Sequence, residues 1–307
     1  MSVADLTKRR PLLMPFQILA ALALAATPWC LPTKNRIIQP THNEKPKLHG
    51  EAKRGITEKT GDNMPQNMHH WTERLDLAAA FRWCAHLNMH ESIANHFSLD
   101  LGGGQFLINP NGRHFARITA SSLIEIDAHD PKTMDRPDAP DPTAWGLHGA
   151  LHRALPHATC ILHVHSPFAT VLASLADSCL PAIDQNTAMF HNRIAIDAQY
   201  GGMAFDSEGA RCAGLMADPK IKTLIMGNHG VLVLGATVAE AFNRLYYFER
   251  AAETYIRALQ TGRALRVLPD EIAEKTAREW EDYPNFATAH LREIKLLLDQ
   301  SQPDYAS

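Results

Sequence analysis

Between residues 71 and 87 apolar positions recur every three or four residues, in Trp71-Thr-Glu-Arg-Leu-Asp-Leu-Ala-Ala-Ala-Phe-Arg-Trp-Cys-Ala-His-Leu87. That spacing gathers them on one face of an amphipathic helix. The period then shortens towards two. Asn95-His-Phe-Ser-Leu-Asp100 and Gln105-Phe-Leu-Ile108 flank Gly102-Gly-Gly104 and predict a hairpin, Asn109-Pro-Asn-Gly112 a turn, and Ser122-Leu-Ile-Glu-Ile-Asp127 another strand. Four prolines between Asp130 and Pro142 make a loop, and Thr143 to Leu155 reads as a helix with His148 and His152 on one side. Thr159 to Ser166 is an apolar strand, and Phe168 to Leu175 a short helix behind Pro167. Arg193 to Ala198, Thr223 to Met226 and Val231 to Leu234 read as strands, with a helix over Ser207 to Ala217. Thr237 with Glu240 forms a capping box for a long helix through Leu259, and two charged amphipathic helices follow at about 270–280 and 286–298. Helices alternating with short strands, with no fixed repeat, predict an α/β domain of three α/β/α layers.

The first 70 residues differ in kind. Lys8-Arg9-Arg10 precedes an apolar run from Leu12 to Leu31 broken by Pro15 and Pro28, which has the outline of an export signal. Arg9-Arg10-Pro-Leu-Leu13 even sketches a twin-arginine address, whereas Met64 or Met68 could equally be the true start of translation. The prolines and Gln17 argue against a stable membrane span. Thr33 to Asp62 is polar and expected to be disordered. The expected organisation is therefore a leader and linker over 1–70, a main domain over 71–268, and a helical extension over 269–307. The expected compartment is the cytoplasm, or the periplasm if the leader is a genuine signal.

Composition narrows the function classes. A net charge of −3 over 307 residues supplies no basic field for nucleic acid. Five cysteines without a C-x-x-C pair suggest neither a zinc knuckle nor a disulfide framework, so reduced, mostly buried thiols are expected.

The chemistry concentrates where the apolar strand ends. In Thr159-Cys-Ile-Leu-His-Val-His-Ser166 the two histidines are one residue apart, so His163 and His165 share a face of the strand. Two such imidazoles can chelate one ion if a third ligand arrives from elsewhere. His229, in the turn Gly227-Asn-His-Gly230 between two apolar runs, is the third candidate.

Three motifs in order resemble the class II aldolase/adducin-head family. They are Ile161-Leu-His-Val-His-Ser-Pro-Phe-Ala-Thr170, then Gly227-Asn-His-Gly-Val-Leu-Val-Leu-Gly235, then Thr237-Val-Ala-Glu-Ala-Phe242 with Leu245-Tyr-Tyr-Phe-Glu-Arg250. The resemblance spans about Trp71 to Leu268 and implies a central, mainly antiparallel sheet. It also implies that His163, His165 and His229 bind a divalent metal, usually zinc with iron possible, which polarises a carbonyl. A homotetramer is implied as well, and a neighbouring subunit could then supply a missing acid/base group.

Departures from the family decide how far the chemistry carries. The family's sugar-phosphate aldolases place a glutamate 19 residues before the first metal histidine, where Asp141-Pro-Thr-Ala-Trp145 has Ala144. Alanine neither ligates nor moves a proton, which makes His148, the closest titratable side chain of that segment, the candidate catalytic group. The family's phosphate-binding hydroxyls are partly lost, since its T-P-S-G turn is Asn109-Pro-Asn-Gly112 and a serine aligns with Pro142. Asn95, Ser98, Asn111 and Gly112 remain as candidate substrate-binding positions. The expected function is a metal-dependent lyase acting on a small, unphosphorylated carbonyl compound. A non-haem iron oxygenase and a non-catalytic binding module like the adducin head are the alternatives.

Overall fold

The computed structural model describes residues 69–202 and 208–307. The readings made for the leader lie outside them. In chain order the elements are α1 (Trp71–His86), β1 (His96–Gly102), β2 (Gln105–Ile108), β3 (Ile124–Asp127), α2 (Pro142–Ala144) and α3 (Ala150–Ala154). There follow β4 (Cys160–Val164), α4 (Pro167–Ala173), α5 (Gln185–Ala188), β5 (Ile194–Asp197) and α6 (Glu208–Leu215). The last are β6 (Thr223–Met226), β7 (Gly230–Gly235), α7 (Val238–Gln260), α8 (Asp270–Glu281) and α9 (Phe286–Ser301).

The seven strands form one sheet in the order β3-β2-β1-β4-β7-β6-β5. Every neighbouring pair is antiparallel except β5 with β6. Because alternate side chains leave a strand on opposite faces, each strand feeds two cores. On one face Phe97, Leu99, Leu162, Val164, Val231 and Val233 pack against Leu77 and Phe81 of α1, Phe242 and Phe248 of α7 and Leu291 and Ile294 of α9. On the other, Ile161, Leu224, Leu232 and Leu234 meet Leu147 and Leu151 beside and within α3 and Cys212 of α6. Helices on both faces give the three layers expected from the pattern.

Two local features set the position of the site. First, the strand carrying His163 is anchored where it ends, because buried Glu249 of α7 accepts bonds from Ser166 Oγ at 2.6 Å, Phe168 N at 2.8 Å and Ala169 N at 2.9 Å. A carboxylate there caps the first turn of α4 and fixes the chain just beyond His165. Second, the helix expected without interruption over Thr143 to Leu155 is divided. Trp145–Gly149 forms a wide π-type turn between α2 and α3. Gly209 of α6 presses against this turn so closely that a Cβ there would lie 2.3 Å from the Gly146 carbonyl.

The C-terminal helices complete the larger core, since Leu298 and Tyr305 share it with α1. Arg82 pairs with Asp304 at 2.6 Å and Lys295 with Asp76 at 2.7 Å across the same seam. Cys84, Cys160 and Cys212 are free and buried, as expected, whereas Cys179 is disulfide-bonded, against the expectation of reduced thiols. Among the described residues no helix is long and apolar enough to cross a membrane.

Candidate functional site

β4 runs antiparallel to both β1 and β7, pairing His163 with His96 on one side and with Leu232 on the other. His165 follows one residue past the strand end, on the same face as His163. The turn between β6 and β7 brings His229 to the same edge of the sheet. Asn228 takes the left-handed conformation at φ 57 in that turn. The glycines on either side are needed for close approach instead: a Cβ on Gly230 would lie 2.5 Å from the Val164 carbonyl and 2.9 Å from the His165 ring.

The three imidazoles therefore converge, each offering one ligand nitrogen, with all three nitrogens within 4.8 Å of one another. His163 Nε2 and His165 Nε2 are 3.1 Å apart. Two ring nitrogens at that separation require a proton or a cation between them. His163 Nδ1 lies 3.1 Å from the Val231 carbonyl, which can only accept, so Nδ1 carries the proton and Nε2 is a free lone pair. His229 Nδ1 lies 3.3 Å from Glu208 Oε1, a carboxylate that orients the ring in the same sense. Burial pushes the His163 imidazole well below its ordinary pKa, and neighbouring histidines lower it further. Burial, with His229 beside it, holds His165 at about 4. Both rings are neutral at physiological pH, which is the state that ligates metal. Three imidazole nitrogens converging in this way, with the Nδ1 proton of His163 fixed outward, fit a divalent ion of intermediate softness.

Comparison with known proteins now bears on this geometry. The sequence profile of the Class II Aldolase and Adducin N-terminal domain matches residues 75–256. The chain belongs to that family. A Pseudomonas aeruginosa protein classed provisionally as a class 2 aldolase is 33% identical over 204 residues, covering 66% of this chain and 77% of its own. The solved structure of an aldolase II superfamily protein from Pseudomonas syringae superimposes with a TM-score of 0.69 at 30% identity, over 80% of this chain and 98% of that one. An L-fuculose 1-phosphate aldolase from Glaciozyma antarctica shares the fold, with a TM-score of 0.64 at 21% identity over 79% of this chain and 96% of that one.

Against this class II aldolase background the remaining sequence candidates fall in different places. Ala144, where the resemblance would place a glutamate, is 2% exposed and packs with Phe106, Ile108 and Ile126 in an apolar cluster. His148 is sealed from solvent, between His96 Nδ1 at 2.8 Å from its Nε2 and Ser98 Oγ at 2.5 Å from its Nδ1. Ser98 is equally buried and also contacts His152 Nε2 at 2.7 Å. Asn95 is a brace: its Oδ1 accepts from Glu91 N at 2.6 Å and from His165 N at 3.2 Å. Asn109 does similar work, accepting from Phe97 N and donating to the Asn95 carbonyl. Asn111 and Gly112 are exposed at the tip of the turn, where Gly112 has φ 70.

Sequence reasoning did not single out His96 or Glu208. His96 shares alternation with Ser98 and Asp100, polar residues at every second position of β1, and that was its only signal. Glu208 opens α6 with no motif around it. Its neighbours Asp197 and Cys212 lie within 4.8 Å of it and could suggest a second cation site. Arg211 already occupies that place, with Nε 2.8 Å from Asp197 Oδ2 and Nη2 3.7 Å from Glu208 Oε1.

Proposed function

We propose that this chain is a metal-dependent, lyase-type enzyme acting on a small carbonyl compound that carries no phosphate. The observation that carries the reading is the convergence of the His163, His165 and His229 nitrogens within 4.8 Å of one another. A divalent ion held there, zinc in preference to iron, supplies Lewis acidity towards a carbonyl oxygen. The protein's own residues prepare the place. The Val231 carbonyl and the Glu208 carboxylate each take the outer N–H of a ligand ring and aim its free nitrogen inward. Asn95 pins the backbone of His165, and Glu249 pins the chain that leaves it. His148, sealed behind His96, reaches the substrate only through that ring.

The donors among the described residues support a substrate without phosphate. A phosphate needs several free N–H or O–H groups. Here Pro142 has none, while the Asn109 and Ser98 side chains are spent on internal partners. The candidate substrate-binding turn keeps Asn111 and Gly112 open to solvent.

The full-length protein, loaded in turn with zinc, manganese or iron, is to be offered matched pairs of ketoses with and without a 1-phosphate, and small hydroxy-ketones. Chelator-sensitive carbon-carbon cleavage is expected, with kcat/KM at least about tenfold higher for the unphosphorylated member of each pair, about 1.4 kcal/mol. Faster turnover of the phosphorylated member overturns the substrate class. Oxygen uptake without cleavage overturns the lyase in favour of an iron oxygenase, and stoichiometric metal without turnover of any carbonyl overturns it in favour of a binding module.

A further inference from the structure

At the end of the sheet opposite the three clustered histidines, side chains from four parts of the chain enclose a cleft of about 350 Å³. Arg193 and Lys222 stand immediately before β5 and β6, two parallel strands that start at the same end. β7 finishes there, with Leu234 N donating to the Lys222 carbonyl at 2.9 Å. Glu240 and Arg244 of α7 close one side, and Trp280, Tyr283 and Phe286 close another where α8 gives way to α9. The length of β7 separates the cleft from the histidines, roughly 17 Å from Gly230 to Gly235 at the usual rise per residue.

The charges around this cleft are unevenly matched. Arg193 is fully engaged, with Nε and Nη2 at 3.1 and 2.9 Å from the two oxygens of Glu281 and Nη1 at 2.7 Å from Glu274 Oε2. The Glu240 carboxylate accepts from Ala236 N at 3.1 Å. Arg244 makes one hydrogen bond, from Nη1 to the Leu234 carbonyl, and Glu240 and Glu281 act on it only through space. Lys222 acts on Glu281 in the same way, and neither cation forms an ion pair among the described residues. A guanidinium has five N–H donors and an ammonium three, so most donors on these two side chains find no acceptor in the described protein. Burial pulls the Arg244 guanidinium below its ordinary pKa, although Glu240 and Glu281 draw it up again. A partly dried charge without a contacting counter-ion is costly, and an anion entering the cleft offsets that cost.

The same inventory selects the anion. Arg193, Lys222 and Arg244 face two carboxylates, Glu240 and Glu281, which leaves one positive charge in surplus. A singly charged carboxylate matches that surplus and suits the planar fork of an arginine. A doubly charged phosphate exceeds it and meets repulsion from both glutamates. The wall of the cleft selects the rest of the ligand. Trp280 and Phe286 meet edge to face with centroids 5.4 Å apart, as do Tyr283 and Phe286 at 5.2 Å. Tyr283 is 61% exposed, so much of its ring is uncovered. A planar ring packs on such a surface by offset or edge contacts. The volume falls near the lower end of the range for small-molecule sites, about 300–1,000 Å³, which suits a ligand of one or two rings.

We infer that this cleft is a second ligand site, which binds a small aromatic carboxylate with its charge on Arg244 and Lys222 and its ring against Trp280, Tyr283 and Phe286. Arg193 is a positioning residue: clamped between Glu274 and Glu281, it ties α8 to the start of β5 and so holds the aromatic wall in place. Trp280 Nε1–H donates to the Gln185 carbonyl at 3.2 Å, which anchors the indole. The site takes no residue from the histidine cluster, so its ligand adds to whatever that cluster binds and does not compete with it. The inference stands apart from the carbonyl chemistry proposed above.

Isothermal titration of the full-length protein with benzoate, indole-3-carboxylate, cyclohexanecarboxylate and phenyl phosphate tests it. The two aromatic carboxylates are expected to bind one per chain with a Kd of about 1 mM or tighter, and about tenfold more tightly than the other two. Arg244→Gln is expected to weaken them about tenfold and Lys222→Gln about threefold, while His165→Ala leaves their affinity unchanged. In spectra of protein labelled with 15N-tryptophan, the Trp280 indole N–H, assigned with Trp280→Phe, is expected to shift on saturation, while that of Trp145, which stacks on Phe106, stays. Should Arg244→Gln fail to fold, Lys222→Gln at its half-buried position and the wild-type Trp280 shift decide the matter. No saturable binding of an aromatic carboxylate, affinity untouched by either charge substitution, loss of binding in His165→Ala, or a shift confined to other tryptophans overturns the site. Equal or tighter binding of phenyl phosphate or cyclohexanecarboxylate overturns the ligand class.

Discussion

The metal-free protein is expected to lose stability steeply as the pH falls from about 6.5 towards 4. His96, His148 and His152 are buried and neutral, and burial lowers the proton affinity of each below that of an unfolded histidine. Above the unfolded value of about 6.5 both states are neutral and the contribution of these rings is complete. Below it the unfolded chain binds protons that the folded chain refuses, so stability declines with pH. The decline ends only where the folded rings themselves titrate, at about 4 for His152 and about 3 for His96. Each ring contributes about 1.4 kcal/mol per pH unit inside the window. Three together remove about 4 kcal/mol per unit, enough to consume a domain stability of about 5–15 kcal/mol within a few units. Calorimetric melting of chelator-treated protein between pH 7.5 and 4 checks this. A Tm that holds or rises down to pH 5 would mean that these rings are charged or hydrated, contrary to the packing described.

His165→Ala is expected to abolish stoichiometric binding of a divalent ion, weakening affinity by more than about 100-fold. Losing one of three ligands removes more than losing an outer partner, which typically costs 10–100-fold. Glu208→Gln should consequently fall in that milder range, because it keeps an oxygen for His229 Nδ1–H and gives up only its charge. His165 is half-buried at the strand end and its removal opens no core cavity, so the melting temperature of the metal-free variant should stay near wild type. Equilibrium dialysis with elemental analysis separates the two variants. Full metal retention in His165→Ala would remove it from the ligand set.

How much of this was readable beforehand depended on whether the cause was local. The strand before His163 announced itself through an unbroken apolar run, and the His-x-His spacing followed from strand alternation alone. Thr237 caps α7, its hydroxyl accepting from Glu240 N at 3.1 Å, but the expected box does not close, because the Glu240 carboxylate accepts from Ala236 N and not from Thr237 N. The split at Trp145–Gly149 was not readable, because the turn lies against Gly209, more than 50 residues further on, a contact that no local pattern encodes. The small α5, capped by Asp184, was passed over because its four residues carry no period. His96 and Glu208 acquire their roles only when β1 is laid beside β4 and α6 beside the β6–β7 turn. No spacing within the chain encodes either contact. Ala144 was read as a missing catalytic group; the structure adds that its side chain belongs to an apolar cluster with Phe106 and Ile126.

The central claim is that one divalent ion is held by His163, His165 and His229 and not by the neighbouring carboxylate and thiol group. X-ray absorption at the zinc edge of the zinc-loaded full-length protein tests it most directly. Three imidazole ligands with oxygen completing the shell, and no sulfur, is the predicted result. A sulfur ligand would place the ion with Cys212, Asp197 and Glu208 instead, and that outcome, or a shell with fewer than three imidazoles, would contradict the account.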